Sequence, residues 1–125
     1  MTRGSPQPES APTPSPHPFS AKLIAQSLDF LAAQTQGNPD YILTLAQPLC
    51  IFLEAPSPSG GKFWSGIVME IGLSMRWGKM ASQGQVKHIP LRSCRQHNAV
   101  LELKHRALEK LAKGYVIAPH RTVLP

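Results

Sequence analysis

Hydrophobic positions recur in two rhythms along this chain. Leu23, Ile24, Leu28 and Leu31 return at the spacing of a helix and make one apolar stripe between residue 21 and about Gln36. Ser20 stands where an N-cap is needed, and Gly37-Asn38-Pro39 is a strong stop. "YILTLAQ" from Tyr41 fits either a short strand or a helical turn. Residues 49–54 (LCIFLE) form a short apolar run of strand composition, and 55–61 (APSPSGG) carry turn formers. Residues 62–69, 73–80 and 85–91 read as three further strands, with turns at 70–72 and 82–84. Pro90 has no ladder donor, so the last strand is expected to be an edge or to end there. A second helix is predicted from Ser93, where Ser93-Cys94-Arg95-Gln96 fits the capping-box pattern. Val100, Leu103, Ala107 and Leu111 carry it to Gly114, the expected left-handed stop. Glu102 with Arg106 and Glu109 with Lys113 are favourable i,i+4 pairs on it. The expected class is α+β: a small antiparallel sheet of three or four strands packed against one C-terminal helix, with an extra N-terminal helix.

The chain has 125 residues, room for one domain. Its 13 Pro include positions 6, 8, 12, 14, 16 and 18, so residues 1–19 read as a disordered Pro-rich tail. Charge is uneven. Residues 1–60 carry Arg3 and Lys22 against Glu9, Asp29, Asp40 and Glu54, a net of −2, whereas residues 61–125 carry eleven Lys and Arg against Glu70, Glu102 and Glu109, a net of +8. A basic half on an apolar core is the footprint of a polyanion binder. No apolar run approaches the roughly 20 residues of a membrane span, and no secretory h-region is seen. Cys50 and Cys94 are too few for a disulfide scaffold or a structural zinc site, so a cytoplasmic protein with free thiols is expected.

Enzymatic chemistry finds little support. A phosphate-loop motif puts a Gly ahead of the Gly-Lys pair and a Ser or Thr after it; here Pro56 and Phe63 stand at those places around Gly61-Lys62. Cys94 and His97 sit three apart, but no second pair has metal-like spacing, and solvated surface His is the better reading of His17, His88, His97, His105 and His120. No Ser or Cys lies in a nucleophile-elbow context. A non-catalytic protein without metal or cofactor is expected. The informative segment is Arg76-Trp77-Gly78-Lys79, followed by Gly84-Gln85. Trp offers a flat face for stacking, Gly lets a backbone approach, and the flanking cations can meet phosphates. The competing reading of Trp77 is a buried core aromatic.

These residues resemble the WGR domain, a module of poly(ADP-ribose) polymerases that also occurs as a small bacterial domain. The matching blocks come in one order: Lys62-Phe63-Trp64, Arg76-Trp77-Gly78-Lys79, Gly84-Gln85, and Glu109-Lys110-Leu111-Ala112-Lys113-Gly114-Tyr115-Val116. The resemblance covers 48–117, leaving 20–47 as an N-terminal helix and connector and 118–125 as a C-terminal tail. It implies a sheet covered by one helix and binding of nucleic acid, DNA before RNA, at strand ends. The role of the motif Trp falls on Trp77, with Arg76, Gly78, Lys79, Gln85 and Lys87 completing the expected site. Trp77 is then expected to be partly exposed on the same face as Arg76, Lys79 and Lys87. Lys79 replaces the motif's Arg and loses its planar fork. Ala81 replaces a Gly of the following turn, and a re-shaped loop is expected because a side chain resists left-handed dihedrals. The alternative is a protein-interaction or regulatory module meeting an acidic partner, with the N-terminal helix as docking element because its apolar stripe needs a surface.

Overall fold

The computed structural model describes residues 20–124. The expected disordered tail, 1–19, lies outside the described residues. Helix α1 (Ala21–Gly37) starts where Ser20 Oγ accepts from the Leu23 N–H, and a 3-10 helix (Pro39–Thr44) follows, resolving the ambiguous segment as helical. Four antiparallel strands come next: β1 (Cys50–Ala55), β2 (Lys62–Met69), β3 (Gly72–Lys79) and β4 (Gln85–Pro90). After α2 (Ala99–Ala112), a two-residue β5 (Val116–Ile117) pairs with the outer edge of β1. The sheet order is β4-β3-β2-β1-β5, and the architecture is α+β. As Pro90 implies, β4 is an edge strand and ends there.

Strand alternation sorts the sheet into two faces. Ile51 and Leu53, Trp64 and Val68, Leu73 and Met75, and Ile89 are buried toward α2, which contributes Val100, Leu103 and Ala107. Gly66 brings the helix close: a Cβ there would lie 2.7 Å from Leu103 Cδ1. Helix α1 packs on α2 through Ile24, Leu28, Leu31 and Ala32, all buried. Its apolar stripe is therefore covered by the chain's own second helix, not left for a partner; only Leu23 of the expected stripe is exposed.

The second helix begins later than expected. Ser93 ends a 3-10 turn (Leu91–Ser93), Cys94 is extended, and Gln96 and His97 take positive φ. Asn98 is the real cap. Its Oδ1 accepts from the Val100 and Leu101 N–H groups, while its Nδ2 donates to the Ala32 carbonyl at 3.0 Å. One side chain, 1% exposed, thus starts α2 and pins the C-terminal turn of α1 to it. Glu102 is buried one turn further on and receives Arg106 Nε at 2.6 Å and the Arg95 N–H at 3.0 Å. Burial pushes its pKa up, but the hydrogen bonds from Arg106 and Arg95 and their charges outweigh it, and the carboxyl sits below its usual range. The expected Glu109–Lys113 pair does not form within ion-pair distance.

Candidate nucleic-acid interface

An open cavity of about 560 Å³ lies at the C-terminal end of α2. Trp77 and Gly78 of β3 line it, with Lys79, Lys62 of β2, Lys110 of α2, Tyr115 and the 55–61 loop. The register explains the convergence. Trp77 lies opposite Trp64, which is buried, and Lys79 lies opposite Lys62, so all four share the helix-facing side of the sheet. Gly114, at φ +99, ends the helix with the Tyr115 N–H returning to the Lys110 carbonyl. That turn sets Tyr115 beneath Lys110, whose Nζ is 5.4 Å from the ring centroid.

The electrostatics of this cavity are one-sided. No Asp or Glu lines it. Among the described residues, none of Lys62, Lys79 and Lys110 meets a carboxylate within 4 Å. Like charges directly opposite on neighbouring strands, as Lys62 and Lys79 are, repel. Burial lowers the Lys110 pKa, Lys113, Lys62 and Arg106 lower it further, and Glu109 opposes them.

The expected site residues divide. Trp77, Gly78 and Lys79 come together in the cavity. Trp77 is half-buried, its body packed on the core and part of its surface accessible. Gln85 pairs with Trp77, and Lys87 with Met75, so both lie on the same side of the sheet, exposed on β4 but outside the cavity lining. Arg76 does not join Trp77. Adjacent residues on a strand face opposite ways, and Arg76 points to the reverse face, its guanidinium donating to the Gln83 carbonyl at 3.4 Å. The expected single face of Arg76, Trp77, Lys79 and Lys87 is corrected accordingly.

The backbone approach that Gly78 permits is that of the chain's own turn. A Cβ at Gly78 would lie 2.7 Å from the Gly84 Cα, and one at Gly84 would lie 2.4 Å from the Trp77 carbonyl oxygen. Ala81 was expected to re-shape this turn; instead it takes the left-handed conformation itself, at φ 65. Lys62, Lys110 and Tyr115 were not among the expected site residues, although each lies in a block that resembles the WGR domain. Their signal was the cross-strand register, which sets Lys62 beside Lys79, and the helix stop, which places Tyr115 under Lys110.

Other chemistry has less to work with. Cys94 is buried and His97 exposed, so they do not share a face, and among the described residues no three His, Cys, Asp or Glu cluster as metal ligands. Burial raises the Cys50 thiol pKa; burial and then Glu102 raise that of Cys94, with Arg106 and a backbone hydrogen bond opposing. No helix among the described residues is long and apolar enough to cross a membrane. Comparison with protein-family models, with curated proteins and with solved structures found no match to this chain.

Proposed function

We propose that this chain is a non-catalytic nucleic-acid-binding module related to the WGR domain, taking DNA before RNA and holding a strand end against Trp77. The observation that carries this reading is the cavity in which Lys62, Lys79 and Lys110 arrive from three different elements beside a half-buried tryptophan with no acid in the lining. Gathering like charges at a partly desolvated site costs stability, and a bound polyanion removes the cost. The accessible part of Trp77 can stack a terminal base or sugar while the lysines meet the phosphates beside it. The blocks resembling the WGR domain supply three of these residues besides Trp77 and Lys79: Lys62, Lys110 and Tyr115. Lys79 contributes charge without the bidentate fork of an arginine, which favours adaptable over geometrically strict phosphate contact.

The test is a fluorescence-anisotropy titration at two salt concentrations. The probes are blunt duplex, 5′-phosphorylated overhang duplex, single-stranded DNA and RNA of equal length. Wild type is compared with Trp77→Ala and Trp77→Phe. The reading expects tightest binding to a DNA end, a loss of about 1–3 kcal/mol in Trp77→Ala, and most of it restored in Trp77→Phe. Equal, salt-erased binding to all four probes that ignores Trp77 would sink it.

A further inference from the structure

The reverse face of the same sheet end carries a second cavity, of about 430 Å³, lined by Phe52, Phe63, Arg76, Met80–Ser82 and Arg121. Its floor is a stacked pair: the Phe52 and Phe63 rings lie 5.5 Å apart and 7° from parallel. Arg121 lies over this floor, its Cζ 4.8 Å from the Phe52 centroid. It is carried by a short turn (Pro119–Arg121) fixed on both sides to β1, by the Ala118 N–H on the Phe52 carbonyl and by Thr122 Oγ1 bridging the Phe52 N–H and carbonyl. Arg76 reaches in from β3, oriented by its bond to the Gln83 carbonyl. Among the described residues neither guanidinium meets a carboxylate within 4 Å, and Glu54 of β1, on the same strand face, pairs with neither. The Ser82 hydroxyl is spent on the Lys79 carbonyl at 2.6 Å, so the two guanidinia supply the side-chain donors. A guanidinium over a ring keeps N–H groups for an oxyanion, and Arg121 so placed, with Arg76 lining the same cavity, suits a phosphate chelated by both.

Resting on the nucleic-acid reading above, we infer that Arg76 and Arg121 form a second phosphate subsite, which takes a phosphodiester of the strand whose end lies in the lysine cavity. Phe63 lines both cavities, so they lie back to back at one sheet end. A strand held at both passes around the β2–β3 end, with the 80–84 turn between the two points of contact. The lysine cavity alone serves a very short oligonucleotide; a longer one engages both.

Two measurements on the full chain test this. In the first, inorganic pyrophosphate is titrated while the Arg Nε–H resonances are followed by NMR, in wild type and in Lys62→Gln/Lys79→Gln/Lys110→Gln. The Arg76 and Arg121 signals are expected to shift in both proteins. In the second, single-stranded DNAs of 3 and 12 nucleotides are titrated against wild type, Arg76→Gln/Arg121→Gln and Arg76→Lys/Arg121→Lys, with circular dichroism confirming the fold. The Gln variant is expected to weaken the 12-mer roughly tenfold and to lower its salt slope by about 0.7, one phosphate on a single strand. The 3-mer should stay within about twofold, and the Lys variant should recover part of the loss. Silent arginine resonances, or an Arg76→Gln/Arg121→Gln variant that binds the 12-mer like wild type, overturn the subsite and leave the nucleic-acid reading standing. Shifted resonances with no binding of either oligonucleotide keep a phosphate site on this face but overturn both the shared strand and the nucleic-acid reading.

Discussion

The two ends of helix α2 handle charge in opposite ways. At the N-terminal end every buried polar group has a partner: Asn98 caps the helix and holds Ala32, and Glu102 is clasped by Arg106 and Arg95. At the C-terminal end Lys110 faces Lys62 and Lys79 across an open cavity with no acid in its lining. Cations suit a helix C-terminus, but one of them would serve the dipole; three from separate elements exceed what the fold needs. The difference separates a region built for stability from one that holds unspent attraction for an anion.

That contrast breaks most sharply at Asn98. Asn98→Ala removes a cap and the bond that ties it to the Ala32 carbonyl, and urea unfolding should show a loss of about 1–3 kcal/mol. Affinity for DNA, measured where the variant is still folded, should not change. The converse is Lys62→Gln/Lys79→Gln/Lys110→Gln. It should weaken DNA binding on the order of 100-fold at low salt, taking charge-assisted contacts at about 1 kcal/mol each after screening. Its melting temperature should hold or rise, because like-charge repulsion is relieved. A melting temperature that falls with the affinity would show that the lysines serve the fold, and the contrast would fail.

Glu102 gives the contrast a pH signature. Its folded pKa lies below the unfolded glutamate value of about 4.3, so its stabilisation is complete above that value and is lost as pH falls through the lower folded one. Glu102→Gln should cost about 1–3 kcal/mol at pH 7 and flatten the stability profile below about pH 4.5. Equal slopes for the two proteins in acid would remove Glu102 from the account. The smallest effect is at the turn between β3 and β4. Ala81→Gly should raise stability by about 0.5–1 kcal/mol, the left-handed strain of Ala less the added freedom of Gly in the unfolded chain.

The strands were legible because period-two alternation and turn residues agree along 62–91, and β2 has the expected bounds of Lys62–Met69. The start of α2 was not, because Ser93-x-x-Gln96 satisfies the local capping pattern as well as Asn98 does. What decides between them is the Ala32 carbonyl, 66 positions away, which no local window contains. β5 is two residues long and carries no period; it exists because β1 offers it an edge. The candidate site was half legible for a similar reason. Trp77 and Lys79 share a face by alternation, and the same alternation removes Arg76, while Lys62 joins only through the hairpin register.

The closure of β1 also sets a schedule for making the protein. Its outer edge is completed by β5 and by the bridge from Cys50 to Val123, and Thr122 reaches Phe52 across 70 positions. At about 5–20 residues per second of synthesis, that edge waits roughly 4–14 seconds for its partner. For that interval the emerging chain presents Cys50, Ile51, Phe52 and Leu53 as a strand with one edge open to mispairing.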